Sequence, residues 1–105
     1  MRILVVEPEK QPKVQEIESK LTAMQMTVGV YIETIYPWRD EVALVCNDAG
    51  KIMGLPLNRP LFNDDSELID FIAGTFFICG APMASGNFTD LPKDLIEHYT
   101  RIFQL

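Results

Sequence analysis

Ile3-Leu4-Val5-Val6-Glu7-Pro8 is a run of four apolar residues, three of them β-branched, cut off by a charge and a proline. β-branched side chains favour pleated backbone, and an apolar run without polar alternation is the pattern of a strand buried on both faces. A first strand is therefore expected at 3–6, followed by a polar turn from Pro8 to Pro12. Two later runs have the same character. Val42 to Cys46 and Thr75 to Cys79 both read as strands, the second with its aromatics expected on one face.

Between these runs the reading is less direct. Val14, Ile17, Leu21, Met24 and Val28 recur at spacings of 3, 4, 3 and 4, as on one face of a single helix from 13 to 28. Ser19, however, is a good N-cap type in the middle of the segment, and Lys13 to Glu18 can pair as a short strand with the first. The expectation is a strand at 13–17 and a helix at 19–28, with Gly29 at its C-terminus. Val30 to Pro37 has strand content and ends at proline. Asn47-Asp48-Ala49-Gly50 supplies turn residues, so 42–55 reads as a hairpin with Gly50 at positive φ. Pro56 to Glu67 reads as the longest irregular stretch, and Leu68 to Ala73 as a short helical turn or a strand. After a loop of small residues from Gly80 to Asn87, Leu91, Leu95, Ile96, Tyr99, Ile102 and Phe103 mark the apolar side of a C-terminal helix, with Pro92 in its first turn. The fold class is α+β: a mainly antiparallel sheet of five to six strands, one internal helix packed on it and a C-terminal helix.

The composition narrows function mainly by exclusion. At 105 residues and 48% apolar content the chain suits one domain, residues 1–105, with a core of its own. Its net charge of −6 opposes binding to phosphate backbones, so neither nucleic acid nor an anionic membrane is an expected direct partner. The charge is uneven: residues 62–105 hold seven acids and two bases, against eight and seven before them. Cys46 and Cys79 both lie in apolar runs and are expected to be free thiols in a reducing compartment. The run at 3–6 is too short for a signal peptide, and the apolar stretch from Thr75 to Met83 is too short to span a bilayer, so a cytoplasmic location is expected.

Catalytic constellations are hard to assemble from these residues. His98 is the only histidine, four residues after Asp94 on the polar side of the last helix, where a solvated pair is the simpler reading. Two separated thiols and one imidazole do not make a zinc site. Gly50-Lys51 lacks the earlier glycine of a P-loop, since Val45 stands there. The carboxylate pairs Glu7 and Glu9, Asp64 and Asp65, and Asp90 and Asp94 read as exposed rather than tuned by burial. No enzyme activity, cofactor or metal is expected. The polar pair Asn58-Arg59, stiffened between Pro56 and Pro60, is the leading binding candidate, because an arginine held in a loop can take a carboxylate or phosphate through its planar fork. The structural alternative is that Asn58 bonds the loop backbone while Arg59 pairs with Asp64 or Asp65. Trp38 is a second candidate, as an interface aromatic or as a lid on the core.

Gly54-Leu55-Pro56-Leu57-Asn58-Arg59, followed by Ile72 to Pro82, resembles the signature of the DUF3846 family, small bacterial and phage-related proteins known only as a domain of unknown function. Ile3 to Pro8 and Val42 to Lys51 are similar to it too, so the likeness covers nearly the whole chain. Members often have Asp-Gly where this chain has Glu18-Ser19, which favours a helix beginning there. The resemblance implies no activity or catalytic residue. It implies a setting in bacterial chromosomes, phages or other mobile elements. The expected function is a non-enzymatic module that binds another protein or regulates it; the alternative is a small-molecule or anion-binding domain using Asn58 and Arg59, a cryptic enzyme included.

Overall fold

The computed structural model describes residues 1–105. Strand β1 (Arg2–Val6) is buried as its composition requires: Ile3 and Val5 face one side of a sheet, Leu4 and Val6 the other. It is flanked by β2 (Lys13–Glu16) and by β7 (Phe76–Gly80); β7 in turn pairs with β4 (Val42–Asn47), and β4 with β3 (Ile32–Ile35). The order is β2-β1-β7-β4-β3, and every neighbouring pair is antiparallel. Register aligns Leu4, Ile78 and Leu44 in one row across the three central strands, and Val5, Phe77 and Val45 in the next. Because successive side chains point to opposite faces, these two rows belong to two separate cores.

One core lies under helix α1 (Leu21–Val28). Ile3, Val5, Ala43, Val45, Phe77 and Cys79 pack there with Val28, Met24, Ile17 and Ile32. The other face is covered jointly by helix α2 (Lys93–Phe103) and a separate two-stranded sheet, β5 (Leu57–Phe62) with β6 (Leu68–Ala73). Leu61 and Ile72 from that hairpin, and Leu91, Tyr99 and Phe103 from the C-terminal segment, close over Leu4, Val6, Leu44, Phe76 and Ile78. The α+β class with an internal and a C-terminal helix holds, with seven strands in two sheets. Neither helix is long and apolar enough to cross a membrane.

The structure revises several local expectations. Phe76 and Phe77 point to opposite faces, since adjacent strand residues must. The extended backbone runs on to Ile17, whose N–H bonds Met1 O at 3.0 Å, and α1 begins only at Leu21. Ser19 does not cap it. The expected hairpin over 42–55 does not form, because β4 already has β3 on one edge and β7 on the other, leaving no edge for Lys51 to Leu55. That segment winds through turns instead, with Met53 N bonding Ala49 O and Leu55 N bonding Gly50 O, both at 2.9 Å. Residues 57–62, expected to be irregular, form β5; Pro60 is tolerated because β5 has a partner on one side only and its pairing is interrupted between Leu57 and Pro60. Residues 68–73 are the strand of the two alternatives. Pro92 stands at the N-cap of α2, one position before the first turn, and Ile102 is 48% exposed rather than in the core.

Gly50 is needed for a reason other than the expected positive φ, which it does not have. A β-carbon at this position would sit 2.6 Å from the carbonyl oxygen of Ala73, at the end of β6. Backbone cannot yield as a flexible side chain does, so Gly50→Val is expected to lower stability by about 1–3 kcal/mol, as overpacking commonly does. Chemical denaturation checks this, and an unchanged midpoint would refute the close approach.

Cys46 and Cys79 are free, 4% and 0% exposed, and lie on opposite faces of the sheet. Burial pushes the Cys46 thiol up to about 11 and the Cys79 thiol up to about 12. Only the thiolate reacts with alkylating and disulfide reagents. Thiol titration of the native protein is therefore expected to be slow and to become fast on unfolding; rapid native labelling of both would contradict the burial.

Candidate functional site

The Asn58–Arg59 pair lies on β5, with Arg59 turned inward and 7% exposed. Its guanidinium donates almost wholly to backbone. Nε bonds Phe103 O at 3.0 Å, Nη1 bonds Glu7 O at 3.1 Å and Asn58 Oδ1 at 2.7 Å, and Nη2 bonds Lys10 O. Asn58 Nδ2 donates to Val6 O at 2.8 Å and to Gly74 O at 2.9 Å. The two side chains thus tie the β1–β2 turn, the start of the β6–β7 connection and the end of α2 to β5. No carboxylate touches the guanidinium. Its charge faces the C-terminal carbonyl of a helix, where the backbone dipoles leave partial negative charge, and burial lowers its pKa from the ordinary arginine value.

Asp64 and Asp65, the expected partners of Arg59, are engaged by Arg39 instead. The Arg39 backbone N–H donates to Asp64 Oδ2 at 2.7 Å, and its guanidinium lies 3.6 Å from Asp65. This fixes the tight turn between β5 and β6, where Asn63 Oδ1 also accepts from the N–H groups of Asp65 and Glu67. Here the anchoring resembles an Asx-turn, in which the side chain substitutes for a backbone acceptor.

Of the two roles expected as alternatives, Trp38 takes that of a lid on the core. Its ring centroid lies 4.6 Å from that of Tyr99 and 6.1 Å from that of Phe103, so it lids the core formed with α2. Its Nε1 donates to Phe62 O at 3.0 Å, which fixes the indole against β5. The remaining surface of the ring opens on a cleft of about 490 Å³. Phe62 and Ile102 form the other apolar walls; Asn63, Asp64, Ser66 and His98 supply polar groups. Behind it, Tyr99 donates its hydroxyl proton to Asp40 Oδ2 at 2.8 Å, and burial together with Asp40 raises the phenol far above its ordinary value. Of the three candidate residues, Trp38 alone borders an open space. Asn58 and Arg59 are spent within the fold.

Two features escaped the sequence. The first is the outward face of β5–β6, where Phe62 stands opposite Leu68 and Pro60 opposite Phe71, with all four exposed. Leu57 and Ile69 are exposed as well. The alternation that buries Arg59 and Leu61 while exposing Pro60 and Phe62 was the available signal, hidden by two prolines that read as loop. The second is a polar cluster assembled from β3, the segment after β4, and β6. Glu33 meets Asp48, and its carboxyl is raised by burial first and by Asp48 second; Lys51 pairs with Asp70 and holds that carboxyl low. Nothing in linear sequence joins these four residues. They remain on the surface, where such pairs contribute little.

A family model described as a domain of unknown function, DUF3846, matches residues 1–104. No curated protein and no solved structure matches the chain.

Replacing Arg59 by alanine strips donors from three backbone carbonyls, those of Phe103, Glu7 and Lys10, in distant parts of the chain. Removing one side of a buried charge-assisted network usually costs about 2–4 kcal/mol. Arg59→Ala is expected to lower the unfolding free energy by that amount in urea denaturation, whereas a loss under about 1 kcal/mol would show the guanidinium to be as dispensable as an exposed ion pair.

Proposed function

The chain belongs to the DUF3846 family, and from there we propose that it is a non-enzymatic protein-interaction or regulatory module of bacterial or mobile-element origin, acting in the cytoplasm by docking another protein on the outward face of β5–β6. The observation that carries this reading is the set of half-exposed side chains Leu57, Phe62, Leu68 and Phe71 on that hairpin. Contiguous exposed apolar side chains cost solubility and mark interaction sites more often than scattered ones do. Covering a half-exposed leucine or phenylalanine contributes about 1 kcal/mol, so four together offset part of the entropic cost of association. Anion or small-molecule binding by Asn58 and Arg59 gains no comparable support, since a ligand there must first displace Phe103 O, Glu7 O and Lys10 O.

The test compares wild type with the double variant Leu68→Ser and Phe71→Ser as tagged baits in the native host. Both side chains are half exposed, so the variant is expected to fold with an unchanged or higher denaturation midpoint. A protein retained by wild type and lost by the variant supports the docking face. Equal retention by both, with the variant folded, removes it.

A further inference from the structure

The cleft beside Trp38 adjoins the hairpin face through Phe62, which borders both. Its chemistry is distinctive: an indole face, a phenyl ring and the Ile102 side chain surround a space whose one acidic side chain is Asp64. Asp64 Oδ2 takes the Arg39 backbone N–H at 2.7 Å, and Oδ1 has no protein donor. Acidic residues gather mainly on the β5–β6 turn, which adds Asp65 and Glu67, and beside Trp38, where Asp40 and Glu41 stand against Arg39; on α2, Asp94 and Glu97 are balanced by Lys93 and Arg101. Arg39 is drawn away toward Asp65 and is 82% exposed.

We propose that this cleft receives an arginine side chain of the partner protein, its stem laid against Trp38 and Ile102 and its guanidinium on Asp64. The inference rests on the interaction-module reading above. An aromatic face attracts a cation through its quadrupole, and a planar guanidinium adds stacking that an ammonium lacks. The carboxylate then accepts a charge-assisted hydrogen bond, beside apolar walls that the arginine stem covers. An acidic or phosphorylated partner meets repulsion from Asp64, Asp65 and Glu67 at the same place.

Trp38 is the chain's only tryptophan, so its emission reports on the cleft directly. The probe is a synthetic capped hexapeptide alternating leucine and arginine, compared with the same peptide carrying citrulline in place of arginine. A saturable change in Trp38 emission is expected with the arginine peptide, at least about tenfold weaker with citrulline and with Asp64→Asn, as for loss of a charge-assisted contact. Asparagine can still accept from Arg39 N, which preserves the turn. Ile102→Lys, at an exposed position, places an ammonium at the rim and is expected to weaken binding by a similar factor. No saturable change at about millimolar peptide, or equal affinity for the arginine and citrulline peptides, overturns the proposal. The two readings fail separately: a host partner lost on Leu68→Ser and Phe71→Ser while the peptide never perturbs Trp38 sinks the arginine site alone. Charge-dependent peptide binding with equal retention of host proteins by both baits sinks the hairpin face and leaves the cleft standing.

Discussion

Three central strands that are apolar on both faces set the terms for everything else in this protein. β1, β7 and β4 carry rows of Leu, Val, Ile and Phe on each side, so each side needs a cover or exposes its core to water. On the α1 side one short helix, helped by Ile17, Ile32 and Phe88, covers a surface that Ala43 and Cys79 keep partly shallow. The opposite side is bulkier, with Phe76, Leu44 and Ile78, and α2 alone does not span it. The β5–β6 hairpin completes that layer by inserting Leu61 and Ile72.

A two-stranded sheet is marginal by itself, and this one lends only a few apolar side chains to the core. Arg59 supplies what packing does not. Its guanidinium fastens β5 to the turn after β1 and to the last carbonyl of α2, so both covers of that face are held to each other as well as to the sheet. A carboxylate partner would have made a local ion pair. Three backbone carbonyls make a link between distant segments, with the α2 terminus offsetting part of the charge. The Phe103 ring adds to it by meeting Phe76 edge-on at 5.2 Å.

What sequence reading recovered and missed divides along the same line. β1, β4, β7 and α2 were legible because burial on a regular element leaves a periodic apolar pattern, and the two thiols were placed correctly for the same reason. The hairpin at 42–55 was misread because turn chemistry around Asn47 to Gly50 is local, whereas the occupancy of both β4 edges is a property of the whole sheet. β5 was misread because Pro56 and Pro60 signal loop wherever a strand has two neighbours, and β5 has one. The Asn58–Arg59 pair was recognised as special, yet its partners lie 44 to 52 residues away in sequence at Phe103, Glu7 and Val6. A residue type announces that a buried cation needs acceptors; only the fold says which. The Trp38 cleft depended likewise on where β5 settles against α2.

The hairpin's two faces follow different rules, and the difference bears on function. Its inward face is constrained by the core and by Arg59, so Leu61 and Ile72 have a structural reason to be apolar. The outward face has none of that kind, since the chain leaves Phe62, Leu68 and Phe71 about half exposed. At the edge of the main sheet the chain behaves differently: β2 is exposed throughout but carries Lys13, Gln15 and Glu16, the charged and polar blunting expected of an edge that must stay unpaired. A chain that protects one exposed strand with charge and leaves another apolar, beside a cleft with an aromatic wall and a carboxylate, distributes its surface chemistry unequally. Solubility alone favours polar residues in both places. The apolar choice on β5–β6 is the contrast on which the proposed docking face rests.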